Sequence, residues 1–177
     1  MQRRLFLFGV AALTPTLLKA HSPWGQYQVY RQKHLLILST RDDKKSYPYS
    51  KTLAAAINIS APEAKARPAR AVNLKRAYDL LRTKQFTFAL LPADQLEKIR
   101  GGQVDDAINA KVDLRTIYSF GELEFVVQYD FPEQLVKIVA HAVAKNRNKV
   151  PEAASPQTVL KNNYLHPAAS AALKEFL

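Results

Sequence analysis

One pattern constrains the fold of this chain more than any other. Two short apolar runs, residues 34–39 (HLLILS) and 86–91 (FTFALL), are separated by stretches with helical periodicity. Runs of this length without polar alternation suit strands buried on both faces, as in a parallel sheet covered by helices on each side. Residues 47–59 read as a helix that places Leu53, Ala56 and Ile57 on one face, with Pro48 tolerated in its first turn. Residues 66–72 (ARPARAV) read as a short strand, and Pro68 suits a sheet edge. Asn73 is a good N-cap for a helix over residues 74–84. Pro92 opens another helix, which ends at Gly101-Gly102. Two further strands follow, residues 114–120 and 123–129. From Pro132 a helix carries Leu135, Ile138, Val139, Ala142 and Val143 on one stripe, and a last helix spans residues 167–176. The order predicts a three-layer α/β domain with a largely parallel sheet flanked by helices.

The first residues bear on the compartment. Arg3 and Arg4 precede an uncharged apolar run, residues 5–18, that ends before Lys19-Ala20. Such a run suits a signal-peptide core and is short for a bilayer span of about 20 residues. Arg3-Arg4-Leu5-Phe6-Leu7 also looks like the twin-arginine export motif. The expectation is therefore a periplasmic protein with a leader over residues 1–20, or an N-terminal membrane anchor if the leader is not cleaved. An extended lead-in (21–33), an α/β lobe (34–144), a linker (145–163) and a C-terminal helix (164–177) complete the expected organisation.

The formal net charge is +11, and removal of the leader takes away three cations and no acid, leaving +8. The basic residues are dispersed rather than blocked, and export separates the chain from nucleic acid. The charge is read as a surface that favours anionic ligands, an acidic partner or a membrane surface, with no nucleic-acid partner. The absence of cysteine excludes a disulfide scaffold, a thiol nucleophile and a zinc finger.

Several segments resemble, in order, the TAXI proteins, solute-binding subunits of TRAP transporters. HLLILST followed by a loop and SYPYSKTLAAAI is similar to the family's strand, loop, Tyr-Tyr-Pro and helix opening. ARAVNLKRAYDLLRTKQFTFALLPADQL, DLRTIYSFGELEFVVQYDF and LHPAASAALKEF are similar to its next strand and helix, its crossover strands and its C-terminal His-Pro helix. The resemblance implies one lobe of a type II periplasmic binding protein. It also implies a small organic anion or cofactor as solute, and a membrane transporter subunit as partner. The chain departs from the family in two ways. Its loop, residues 40–46 (TRDDKKS), has no glycine, and residues 130–163 are too few for a second lobe.

Parallel sheets hold ligands at the carboxyl ends of their strands, beside helix N-termini. That rule selects Ser39, Thr40, Arg41, Ser46, Tyr47 and Tyr49 after the first strand, and Asn73 after the second, as ligand-binding residues. Arg41 can pair with a carboxylate, the hydroxyls of Ser39, Thr40 and Ser46 can bond it, and Tyr47 and Tyr49 can stack on a flat ligand. In the bland reading of the same residues, the tyrosines pack under an exposed loop, Asn73 caps its helix, and Asp42-Asp43 are solvated. His21, His34, His141 and His166 have no metal-ligand spacing, and there is no G-x-S-x-G motif, no P-loop and no evident nucleophile–base pair. The expectation is a binding protein, not an enzyme, without metal or cofactor. Its competing function is that of an interaction module docking on a periplasmic redox enzyme or transporter with no solute of its own.

Overall fold

The computed structural model describes residues 33–104 and 110–177. The leader and most of the lead-in expected from the sequence lie outside the described residues.

The apolar run in the first segment forms β1 (Leu36–Thr40), followed by α1 (Ser46–Ser60), β2 (Arg67–Ala71), α2 (Leu74–Arg82), β3 (Phe88–Pro92) and α3 (Ala93–Gly101). A hairpin of β4 (Leu114–Phe120) and β5 (Leu123–Gln128) comes next, then α4 (Glu133–Lys145), α5 (Pro156–Val159) and α6 (Pro167–Leu173). One five-stranded open sheet has the order β2-β1-β3-β5-β4. β1 pairs in parallel with both β2 and β3.

The sheet is mixed rather than largely parallel. β5 is antiparallel to both β3 and β4. The Gly121-Glu122 turn fixes the β4–β5 pairing, since so short a link can join only antiparallel neighbours. Gly121 has a φ of 55°, in the left-handed region where glycine is favoured.

Alternation along the strands divides the interior in two. Ile37, Phe88, Leu90, Phe125 and Val127 face α1, α4 and α6. Leu38, Ala89, Leu91 and Val126 face α2 and α3. Helices thus cover both faces, as the continuous apolar runs require. The chain leaves β1 for β2 on one side, then returns across β1 to β3 on the other. The carboxyl ends of β1 and β3 therefore flank the crevice where such sheets hold ligands.

Both edges are blunted. β2 is an edge strand, as Pro68 implied, and also presents Arg67 and Arg70. Along β4, the Gly121 and Ala154 amides donate to Glu152 O and Ser119 O, while the Thr116 amide donates to Tyr164 O and the His166 amide to Thr116 O. The segment from Glu152 to His166 thereby covers that edge. His166 is 1% exposed. Its Nδ1 accepts from the Ala168 amide at the start of α6, and its Nε2 lies 3.4 Å from Tyr129 O. That pair of bonds selects the neutral Nε2–H form, and burial lowers the ring's pKa below the ordinary histidine value.

Candidate functional site

The seven residues selected from the sequence divide into three groups. Ser39 is buried and its hydroxyl donates to Ala69 O at 2.9 Å, fastening β1 to β2. Asn73 caps α2 by accepting from the Arg76 amide at 2.8 Å. Both have structural partners.

Thr40, Arg41 and Ser46 belong to the crevice, where Asp43 is the organising group. Asp43 Oδ1 accepts from the Lys45 amide at 2.9 Å and from the Ser46 amide at the start of α1. Its Oδ2 accepts from Ser46 Oγ at 2.6 Å. Thr40 Oγ1 lies 3.3 Å from that same oxygen and 3.4 Å from Gln95 Oε1 at the start of α3, and donates to one at a time. Asp42, next in the chain, accepts from the Leu74 amide at 2.6 Å, at the start of α2. Two adjacent acids thus satisfy donors at two helix N-termini, where the helix dipole favours negative charge. The loop is not merely solvated. It supplies from within the chain the carboxylates that a ligand would otherwise bring.

Arg41 is exposed, and among the described residues its guanidinium has no hydrogen bond or ion pair. Its backbone amide is fixed to Ala71 O at 3.1 Å. Lys44, in the same loop, and Arg76, in the first turn of α2, are also exposed, as is Val72 at 63%. The loops after β1 and β2 therefore expose these cations, while Asp42 and Asp43 accept at the helix ends; Asp94 and Glu122 are the exposed acids beside β3.

Tyr47 and Tyr49 do not form a pair. The Tyr47 ring lies beneath two cations, Lys51 Nζ at 4.8 Å and the Arg70 guanidinium at 4.9 Å. Arg70 in turn donates to Thr40 O at 3.3 Å. Tyr49 packs against the larger core cluster instead. Burial, then its hydrogen bond to Glu152, raises the Tyr49 pKa. Lys45 is held by Glu122, 3.1 Å away, and this bond raises the lysine pKa.

A second concavity lies at the opposite end of the sheet, where no residue was selected. It is a cavity of about 460 Å³ between the starts of β1 and β3 and the first turns of α4. It is lined by Leu36, Phe88, Phe131 and Val139, and by residues that remain exposed and so border its mouth: Leu135, Ile138, Lys33 and Lys84. The sequence held a signal for it. The stripe expected on α4 included Leu135 and Ile138, but these are 47% and 46% exposed. The buried stripe is Val136, Val139, Ala140 and Val143. Leu135 and Ile138 are surplus to the core and border the cavity.

A third, shallower concavity of about 840 Å³ is lined in part by Arg100 and Tyr164. Arg100 is already engaged: it donates to Leu114 O, Thr116 Oγ1 and Glu124 Oε2 at 3.0–3.3 Å and stacks on Tyr164 at 4.2 Å. Among the described residues no group of three metal-ligating side chains converges. Nor is any described helix long and apolar enough to cross a membrane.

No family model matches the chain, and no match was found among the curated proteins.

Proposed function

We propose that the chain is an exported, non-enzymatic lobe of the solute-binding type that acts by docking on a partner, a membrane transporter subunit or a periplasmic enzyme. The supporting observation is the capture of Asp42 and Asp43 by the N-termini of α2 and α1. A free carboxylate entering the crevice would have to displace an acid tethered to the same loop, which is present at high effective concentration. The loops after β1 and β2 expose three cations, Arg41, Lys44 and Arg76, and the apolar Val72. Such a surface suits the acidic face of another protein, which cations steer and an apolar contact anchors.

A photo-crosslinker at position 44 should capture one partner in the periplasm, and Arg41→Glu should abolish that capture. A crosslinker at Lys65, outside this surface, should capture nothing. Equal capture from both positions would refute the docking reading. A second reading, binding of a small organic anion for TRAP-type transport, is favoured by the guanidinium of Arg41, exposed and unpaired among the described residues. It expects calorimetric heat from at least one of succinate, glutamate or benzoate, lost in Arg41→Ala. The docking reading expects none from wild type.

A further inference from the structure

We propose that the cavity at the amino ends of β1 and β3 binds an amphipathic monocarboxylate, an apolar body with one anionic head. The inference is independent of the docking reading, which concerns the other end of the sheet. The cavity volume of about 460 Å³ falls within the range of small-molecule sites. Its wall is made by Leu36, Phe88, Phe131 and Val139, with Leu135 and Ile138 at the mouth. The latter two remain about half exposed although they sit on a helix whose core stripe is complete without them. An apolar body seated here would cover both, whereas a strongly polar ligand would leave the aromatic wall unmatched.

The head is assigned by the mouth. Lys33 and Lys84 are exposed there. Glu63 is the single acid among the lining residues; it precedes β2 while Lys84 precedes β3, with β1 between them. Lys84 has a φ of 54°, in the left-handed region where glycine is the usual residue just beyond a helix end. Its ion pair with Asp130 joins two side chains that are each more than half exposed. Such surface pairs are weak, so the ammonium can turn to a carboxylate at the mouth.

The test is calorimetry on the folded protein with decanoate and, separately, decanol. Decanoate should bind with a Kd on the order of 1–100 µM. Ile138→Trp places a larger side chain at the mouth, at an exposed position, and should weaken binding at least tenfold without lowering Tm. Lys84→Gly relieves the left-handed backbone, so Tm should hold or rise. It should weaken decanoate about tenfold while leaving decanol unchanged. Absence of heat with decanoate up to about 1 mM would overturn the proposal. Equal affinity for decanoate and decanol, or binding indifferent to Ile138→Trp in a variant that melts like wild type, would do so too.

Discussion

The two ends of the sheet solve opposite problems. At the carboxyl end, β1 and β2 run into helices whose N-termini expose amides, and the chain meets them with its own acids: Asp43 at α1 and Asp42 at α2. At the amino end no acid among the described residues fills the space in this way, and Leu135 and Ile138 are half exposed beside an apolar cavity. The end that fold rules mark as the ligand site is thus polar and self-satisfied, whereas the end they do not mark is apolar and open. A rule about where α/β sheets bind ligands describes where unsatisfied donors occur, and it loses force when the loop satisfies them itself.

The largest expected effect tests the amino end. Phe88 ties the core to the cavity: it stacks on Phe125 at 5.8 Å, meets Phe131 edge-on at 4.8 Å and forms part of the cavity lining. Phe88→Ala should cost about 3–5 kcal/mol in denaturant unfolding. A loss below about 1 kcal/mol would mean that the site already collapses around a void and that the cavity is not a fixed feature.

Asp43→Ala should cost roughly 1–2 kcal/mol, because it removes a cap and leaves the Ser46 hydroxyl, which is buried, without its acceptor. Asp42→Ala, at an exposed site with one bond, should cost less, about 0.5–1 kcal/mol. Equal costs, read from paired chemical denaturation curves, would contradict the central place given to Asp43.

His166 provides a pH-dependent contrast with these acids. Its pKa is lowered in the folded protein, chiefly by burial, so the unfolded chain binds the extra proton more readily. Its stabilising contribution is therefore complete above the ordinary histidine value of about 6.5 and is lost as pH falls through and below it. Comparing Tm at pH 7.5 and 5.5, the drop should be smaller in His166→Asn, which can still cap α6. An equal drop in both would assign the acid sensitivity to other groups.

Most of the frame was legible in sequence because it depends on local period. The buried strands at residues 34–39 and 86–91, the edge position of Pro68, the Asn73 cap and the stop at Gly101-Gly102 all follow from rules that span a few residues. The antiparallel placement of β5 was not legible from the strand runs. It depends on the two-residue turn at Gly121, whose short link carries more weight than the hydrophobic pattern on either side. At the site, Asp42-Asp43 read as a solvated pair, and that Asp43 serves α1 while Asp42 serves α2 required the three-dimensional approach of two loops. Leu135 and Ile138 were assigned to the core because a helical stripe of apolar residues does not reveal which of them find a partner.

The smallest expected effect concerns Arg41, and a second arginine shows why. Arg100 is 9% exposed at its side chain and lies 3.3 Å from Glu124, which is itself 16% exposed. Removing Arg100 would leave Glu124 largely buried and short of a cation, with only Thr116 and Asn162 still bonded to it. A buried pair broken in that way costs about 3–5 kcal/mol, and the two remaining bonds place this case toward the lower end of the range. Among the described residues Arg41 has no acid to abandon and no carbonyl to leave unpaired, and its side chain is exposed. Arg41→Ala should therefore change unfolding free energy by less than about 0.5 kcal/mol. If the carboxyl end docks on an acidic partner, the same substitution should slow association at low salt and lose its effect as salt rises, since exposed charges act through a screened field. Surface plasmon resonance at two ionic strengths reads both quantities. A stability loss above about 1 kcal/mol would show that Arg41 is part of the scaffold, and would remove the distinction drawn here between a cationic end kept for a partner and an interior already complete.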